Sequence, residues 1–195
     1  MKLGTTLVYP MQMPVSIRPA SPTDAERIVA VHFAAVHQTA AESYPPEILD
    51  VWSAAPGEAR FNRLRQWIAG VDEVFIVAEV EGEIVGFGSI APAANQIRAV
   101  YVDPAAARRG VGAAILSRLE VIAAEHGVKC ILVNASLNAE GFYRNNGYEV
   151  EGSGAFRLNA AVEMACVKMR KNLKLRVAGG GTVGARGDAP PKGGG

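Results

Sequence analysis

A single α/β (α+β) sheet domain is what the sequence predicts, on three observations. Stretches with helical spacing of apolar residues alternate with short apolar-rich stretches bounded by turn residues. A length of 195 residues suits one domain of ordinary size rather than two. Hydrophobic residues make up 49% and charged residues 20%, enough apolar material for a core, which excludes global disorder.

Composition sets the limits of that domain. Eight of the 21 glycines fall between Gly179 and Gly195, in a stretch with almost nothing apolar to bury. Residues 174–195 are therefore expected to form a disordered Gly-rich tail, and the Arg186-Gly187-Asp188 triplet inside it arises easily by chance. Met1 to Val8 faintly mimic a secretion signal, but Pro10 and Pro14 interrupt it, so residues 1–14 are expected to form a disordered leader. The folded unit spans 15–173.

Within it, Val15 to Arg18 reads as a short strand. Ser21-Pro22-Thr23-Asp24 starts a helix, with a Ser cap, Pro at the first helical position and an acid at the third. Ile28, Val31, Ala35 and Val36 follow at helical spacing, with His32 on the same stripe. A second helix begins at Pro45-Pro46-Glu47 and a third covers Glu58 to Ala69. Glu73–Val80 and Glu83–Ile90 form a hairpin around Glu81-Gly82. The next strand, Ile97 to Val102, ends at Asp103-Pro104, and a helix covers Val111 to Glu125 before His126-Gly127. Cys130 to Val133 is a short buried strand, Leu137 to Asn145 a helix, and Tyr148–Phe156 and Ala161–Met169 are the last strands.

Charge and cysteine content exclude several classes. A net charge of +1 argues against bulk nucleic-acid or anionic-membrane partners. No apolar run reaches the roughly 18 residues of a membrane span. Two cysteines, Cys130 and Cys166, make no disulfide framework and lack zinc-ligand spacing, so no metal is expected and a reducing, cytoplasmic setting fits. Both read as small buried core residues.

The segment from Ile97 through Asp103-Pro104-Ala105-Ala106-Ala107-Arg108-Arg109-Gly110-Val111-Gly112-Ala113 carries the first chemistry. A strand runs through a basic, glycine-bearing loop directly into a helix. Gly110 and Gly112 let the backbone turn and approach a ligand, the helix start adds unpaired amides and partial positive charge, and Arg108 and Arg109 add more. That suits an anionic diphosphate. A dinucleotide fingerprint would need a third glycine where Ile115 stands, and a P-loop would need Gly-Lys-Ser/Thr. A purely structural strand-to-helix turn stays open on this segment alone.

The second segment is Asn134-Ala135-Ser136-Leu137-Asn138-Ala139-Glu140-Gly141-Phe142-Tyr143-Arg144-Asn145-Asn146-Gly147-Tyr148, a polar turn followed by a helix with an aromatic pair and a closing glycine. Together the two resemble the GNAT superfamily of acyl-CoA-dependent N-acyltransferases. That family's pyrophosphate loop, Gln/Arg-x-x-Gly-x-Gly/Ala, corresponds to Ala107-Arg108-Arg109-Gly110-Val111-Gly112, and its later Ala-x-x-Phe-Tyr-x-x-x-Gly-Phe/Tyr pattern runs from Ala139 to Tyr148. The resemblance extends from Ile17 to Met169 and is nearest the small bacterial YafP-like branch through the insert with Tyr44-Pro45-Pro46-Glu47 and Trp52. Ala107 departs from the usual Gln or Arg.

The resemblance implies a central mixed, mostly antiparallel sheet of about seven strands, flanked by helices and splayed between the fourth and fifth strands. Acetyl-CoA is the implied cosubstrate. Its pantetheine arm would lie in the splay against Val100, Tyr101 and Val102, with an N–H near Val100 polarising the thioester carbonyl. Arg108, Arg109, Gly110, Val111, Gly112 and Ala113 would hold the pyrophosphate by main-chain N–H groups. Tyr143 would protonate the departing thiolate; Ser136 and Asn138 read as caps of its helix and are both expected to bind coenzyme, Ser136 at a position the family often fills with Asn. A primary amine would attack the thioester directly in a ternary complex, without an acyl-enzyme, in keeping with two cysteines that look unactivated.

The general base stays open among His32, His37, Glu42 and a water relay, since Gln96 stands where some members carry a glutamate. Trp67 is expected to anchor its helix to the sheet, while Trp52 either anchors or lines the acceptor pocket. Arg118, Lys129 and Arg144 read as solvated charges. The leading acceptor is a small-molecule amine. A protein N-terminus or lysine is the alternative, and a non-catalytic acyl-CoA sensor is the rival of another class. Family members commonly form homodimers, which the sequence neither requires nor excludes here.

Overall fold

In the computed structural model, which describes residues 14–173, these patterns become a seven-stranded sheet with helices on both faces. Along the chain come β1 (Ser16–Pro19), α1 (Ala25–Thr39), α2 (Pro46–Trp52), α3 (Glu58–Ala69), β2 (Val74–Val80), β3 (Glu83–Ala91) and β4 (Gln96–Val102). Then follow α4 (Val111–Glu125), β5 (Cys130–Ser136), α5 (Glu140–Asn145), β6 (Glu149–Arg157) and β7 (Glu163–Asn172). The strand order is β1-β2-β3-β4-β5-β7-β6, and only β4 and β5 run parallel. The expected leader and Gly-rich tail lie outside the described residues, apart from Pro14.

Sequence and structure differ at a few ends, each for a local reason. Pro22–Asp24 is a 3₁₀ turn ahead of α1, closed by the Asp24 carboxylate, which accepts from the Ser21 N–H at 2.7 Å. β5 runs on to Ser136 because β7 pairs with it along its whole length, from Cys130↔Asn172 to Ser136↔Cys166. The expected helix from Leu137 divides into a 3₁₀ turn, Leu137–Ala139, and α5. Neither Ser136 nor Asn138 caps it: Ser136 makes no side-chain cap bond, and Asn138 Nδ2 donates to the Thr39 carbonyl at 3.3 Å. Trp67 is 58% exposed and anchors nothing, because Phe61, Leu64 and Ile68 take the inward stripe of α3. Cys166 is buried as expected, but Cys130, at the open start of β5, is only half-buried.

Two apolar layers hold the sheet. On one face Ile115 and Leu119 of α4 are fully buried against Ile76, Ile90 and Ile97. Gly88 lets the helix sit this close, since a Cβ there would stand 2.5 Å from Ile115 Cγ2. On the other face Ile28 and Val31 of α1 and Leu64 of α3 pack on Val77 and Phe87. A smaller cluster of Val36, Tyr44, Leu49 and Met164 ties the α1–α2 connection to β7.

The feature that positions the site is the divergence of β4 and β5. They pair only at Gln96↔Leu132 and Ile97↔Val133, so beyond Ile97 the β5-facing edge of β4 carries no ladder. Toward β3, Ser89 pairs with Ala99 while Ile90 pairs with Ile97, which leaves Arg98 as the extra residue of a bulge.

Candidate active site

Asp103 ends β4 and shapes the loop that leads into α4. Its N–H donates to the Val85 carbonyl at 2.8 Å, and its carboxylate accepts from the Ala105 N–H at 3.1 Å and from Arg27 Nη2 at 2.8 Å. The resulting 3₁₀ turn, Pro104–Ala106, leads to Arg108 and Gly110, both left-handed at φ +63° and +81°. The first amide of α4 with a protein partner is that of Ala114, donating to the Gly110 carbonyl at 3.0 Å. Among the described residues, the N–H groups of Arg108 through Ala113 donate to no protein acceptor. A left-handed residue, a glycine and a helix start thus aim consecutive free amides outward, a concave donor set that can hold a diphosphate.

A cleft of about 300 Å³ opens where β4 and β5 part. Val100 and Tyr101 of β4 and Asn134, Ala135 and Ser136 of β5 line it, as does Tyr143 of α5. Tyr143 is only 6% exposed, and burial raises the pKa of its phenol. No protein group among the described residues bonds its hydroxyl. Its neighbour Phe142 covers the start of α4, where a Cβ on Gly112 would stand 3.3 Å from Phe142 Cε2. That contact joins the two sequence segments into one site.

Across the cleft the α1–α2 insert adds residues whose roles the sequence hid. Trp52 Nε1 donates to the Tyr101 hydroxyl at 3.1 Å, and burial pushes that phenol up to about 12. Trp52 therefore lines the cleft. The Tyr44 hydroxyl donates to the Ala165 carbonyl at 2.7 Å and accepts from the Leu137 N–H at 2.8 Å. No local pattern announces such a bridge, because its partners lie 121 and 93 residues away in the chain.

The candidate bases stand apart from the cleft. None of His32, His37 and Glu42 lines it. The His32 ring meets Tyr101 edge-on at 4.4 Å, and its Nδ1 faces Ser53 Oγ at 3.0 Å and accepts from Arg60 Nη2. Burial first, then the Arg60 charge, lowers its pKa from 6.5 to about 3, so it is neutral at physiological pH. His37 Nε2 donates to the Ser53 carbonyl at 2.9 Å, and Glu42 is exposed. Both histidines thus brace the α2–α3 connection. Among the solvated cations, Arg118 pairs with Glu125 at 3.5 Å and Arg144 with Glu140 at 2.7 Å.

Comparison with known proteins agrees with this geometry. The acetyltransferase (GNAT) domain family matches residues 40–173. The Uncharacterized N-acetyltransferase YafP of Escherichia coli (strain K12) is 29% identical over 151 residues, covering 74% of this chain and 92% of that protein. Among solved structures, a GCN5-related N-acetyltransferase from Rhodopseudomonas palustris superposes with a TM-score of 0.73 at 30% identity, covering 83% of this chain and 98% of its own. PaiA N-acetyltransferase from Thermoplasma acidophilum, solved in complex with coenzyme A, shares the fold at 22% identity with a TM-score of 0.69, over 83% of this chain and all (100%) of its own. With the splayed sheet and the match across its main domain, the chain belongs to the GNAT acetyltransferase family.

Proposed function

We propose that this acetyltransferase moves the acetyl group of acetyl-CoA directly to the primary amine of a small-molecule acceptor, in a ternary complex held by the domain 15–173. The observation that carries the reading is the junction of Phe142 with Gly112, which places the free hydroxyl of Tyr143 in the same unit as the free amides of Arg108 to Ala113. That donor set suits the pyrophosphate, and the open edge of Val100, Tyr101 and Val102 suits the pantetheine arm. Ser136 lines the cleft at the end of β5 and suits a contact with the same arm, and Asn138 lies two residues on, in the 3₁₀ turn.

The chain's own groups divide the work. Amine and thioester are brought side by side, which can supply an effective molarity of about 10⁵–10⁸ M. A main-chain N–H freed on β4 polarises the carbonyl as the C–N bond forms and the C–S bond breaks. Tyr143, kept protonated by burial, donates its hydrogen bond to the departing sulfur. The acceptor nitrogen loses one proton and the thiol gains one, so the products are an acetamide and free coenzyme.

Release of free thiol from acetyl-CoA across an amine panel tests this. Tyr143→Phe is expected to lower kcat by about 10²-fold or more, as loss of a positioned acid does, with acetyl-CoA binding retained. Equal rates in the two proteins would remove Tyr143 from the chemistry.

A further inference from the structure

The aromatic and thioether side chains that line the cleft are Trp52, Tyr101, Tyr143, Phe156 and Met164. Among the described residues that line it, Arg98 is the one charged side chain, and no Asp, Glu or His joins it. The acids nearby are occupied or distant. Glu73 stands 3.8 Å from Arg98 and leaves its side chain 53% exposed, while Glu163, next to Met164 in the chain, is held by Arg157 at 2.9 Å. Behind Tyr101 lies a second guanidinium, that of Arg60. It donates to His32, to Ser53 Oγ and to the Ala54 carbonyl, and is in no ion pair among the described residues. The cleft therefore joins aromatic walls to the polar groups of Gln96, Asn134 and Ser136, and its lining offers a cation no carboxylate.

Such a site discriminates by both attraction and repulsion. A polyamine brings further ammonium groups that need carboxylates, and here they would meet the Arg98 guanidinium instead, with that of Arg60 behind the Tyr101 wall. An aromatic body finds edge and offset partners in Trp52 and Tyr101, whose rings are fixed by the indole–phenol hydrogen bond. We infer that the acceptor is a primary amine with an aromatic or bulky apolar body and no second cationic centre. This rests on the N-acetyltransferase reading above and narrows its substrate. The same surroundings explain how the amine becomes a nucleophile without a side-chain base in the cleft. A lining with a guanidinium and no carboxylate disfavours the ammonium form, so the acceptor reacts as the free amine and its surplus proton after C–N bond formation leaves to solvent.

The experiment compares 2-phenylethylamine and tryptamine with putrescine and spermidine, reading thiol release from acetyl-CoA with the full chain. The arylalkylamines are expected to exceed the polyamines in kcat/KM by about tenfold or more, the worth of one good aromatic or charge contact. Arg98→Glu is expected to narrow that ratio by about tenfold through a gain for putrescine. Trp52→Ala is expected to raise KM for 2-phenylethylamine by a similar factor, with KM for acetyl-CoA within about twofold. Equal or better use of polyamines, or a ratio unmoved by Arg98→Glu, overturns the inference. So does turnover confined to peptide N-termini or lysines, although that result leaves the acetyltransferase reading standing. Failure of acetyl-CoA to raise Tm at all would instead strike the reading itself.

Discussion

His32 shows how far a single residue can be from the role its type suggests. A histidine on the helix facing the acceptor side invites the part of a base, yet enclosure by aromatic rings and the Arg60 guanidinium hold its pKa near 3 against 6.5 for the free side chain. Between those values the unfolded chain takes up a proton that the folded chain refuses. Stability is therefore present in full above about pH 6.5 and is lost as pH falls toward 3, with a slope approaching 1.4 kcal/mol per pH unit. His32→Asn keeps an acceptor for Arg60 and cannot titrate. Between pH 6.5 and pH 5 the wild type should lose about 1–2 kcal/mol more than this variant in urea-unfolding free energy. Parallel losses in the two proteins would mean that the imidazole protonates in the folded state. Tyr143 is perturbed in the opposite sense, since burial raises its phenol and keeps it protonated, as the proposed role of acid requires.

At the scale of the element, the loop from Asp103 to Gly112 separates two uses of glycine. Gly110 sits at φ +81° with nothing within 4 Å of a Cβ, so its cost to any other residue is backbone strain. Gly112 is helical, and an added Cβ would press on Phe142 from 3.3 Å. Gly110→Ala is expected to destabilise by about 1 kcal/mol and to weaken acetyl-CoA several-fold by tilting the neighbouring amides. Gly112→Ala should stay within about 0.5 kcal/mol, because a single ring edge can shift by tenths of an ångström. Chemical denaturation and coenzyme titration measure both, and the reverse order of effects would show that ring contact rather than backbone conformation governs the loop. This loop, like α3, α4 and the β2–β3 hairpin, is legible in sequence because its determinants are local: turn residues, caps and periodicity. The extent of β5 and the division of the expected helix at Ala139 are not, because pairing with β7 sets the first and the turn after Ser136 sets the second. Trp67 misleads for a related reason, since α3 has only one inward stripe and Phe61, Leu64 and Ile68 fill it.

Across the whole molecule, the motif helices α4 and α5 share one apolar layer, while α1 and the α1–α2 insert belong to the other clusters, so something must register the halves. Tyr44 is the residue placed to do so. It belongs to the α1–α2 connection, is 6% exposed, and packs with Val36, Leu49 and Met164. Its hydroxyl joins β7, through Ala165, to the Leu137 amide in the 3₁₀ turn that immediately precedes α5. The bridge thus links the insert to the turn before the helix that carries Tyr143, across sequence separations no local pattern can encode. Tyr44→Phe preserves the ring and removes both bonds. The lost bridge should cost about 1–2 kcal/mol, a fall in Tm of about 2–8 °C for a chain of this size. The more telling change is kinetic. With the loop from Asp103 to Gly112 untouched, KM for acetyl-CoA should stay within about twofold, while the acid role proposed for Tyr143 predicts a several-fold fall in kcat as its helix loses registration. A variant that loses stability but keeps wild-type kcat at a temperature where it is fully folded would show that Tyr44 only fastens the insert, and that α5 holds its place through Phe142 and Gly112 alone.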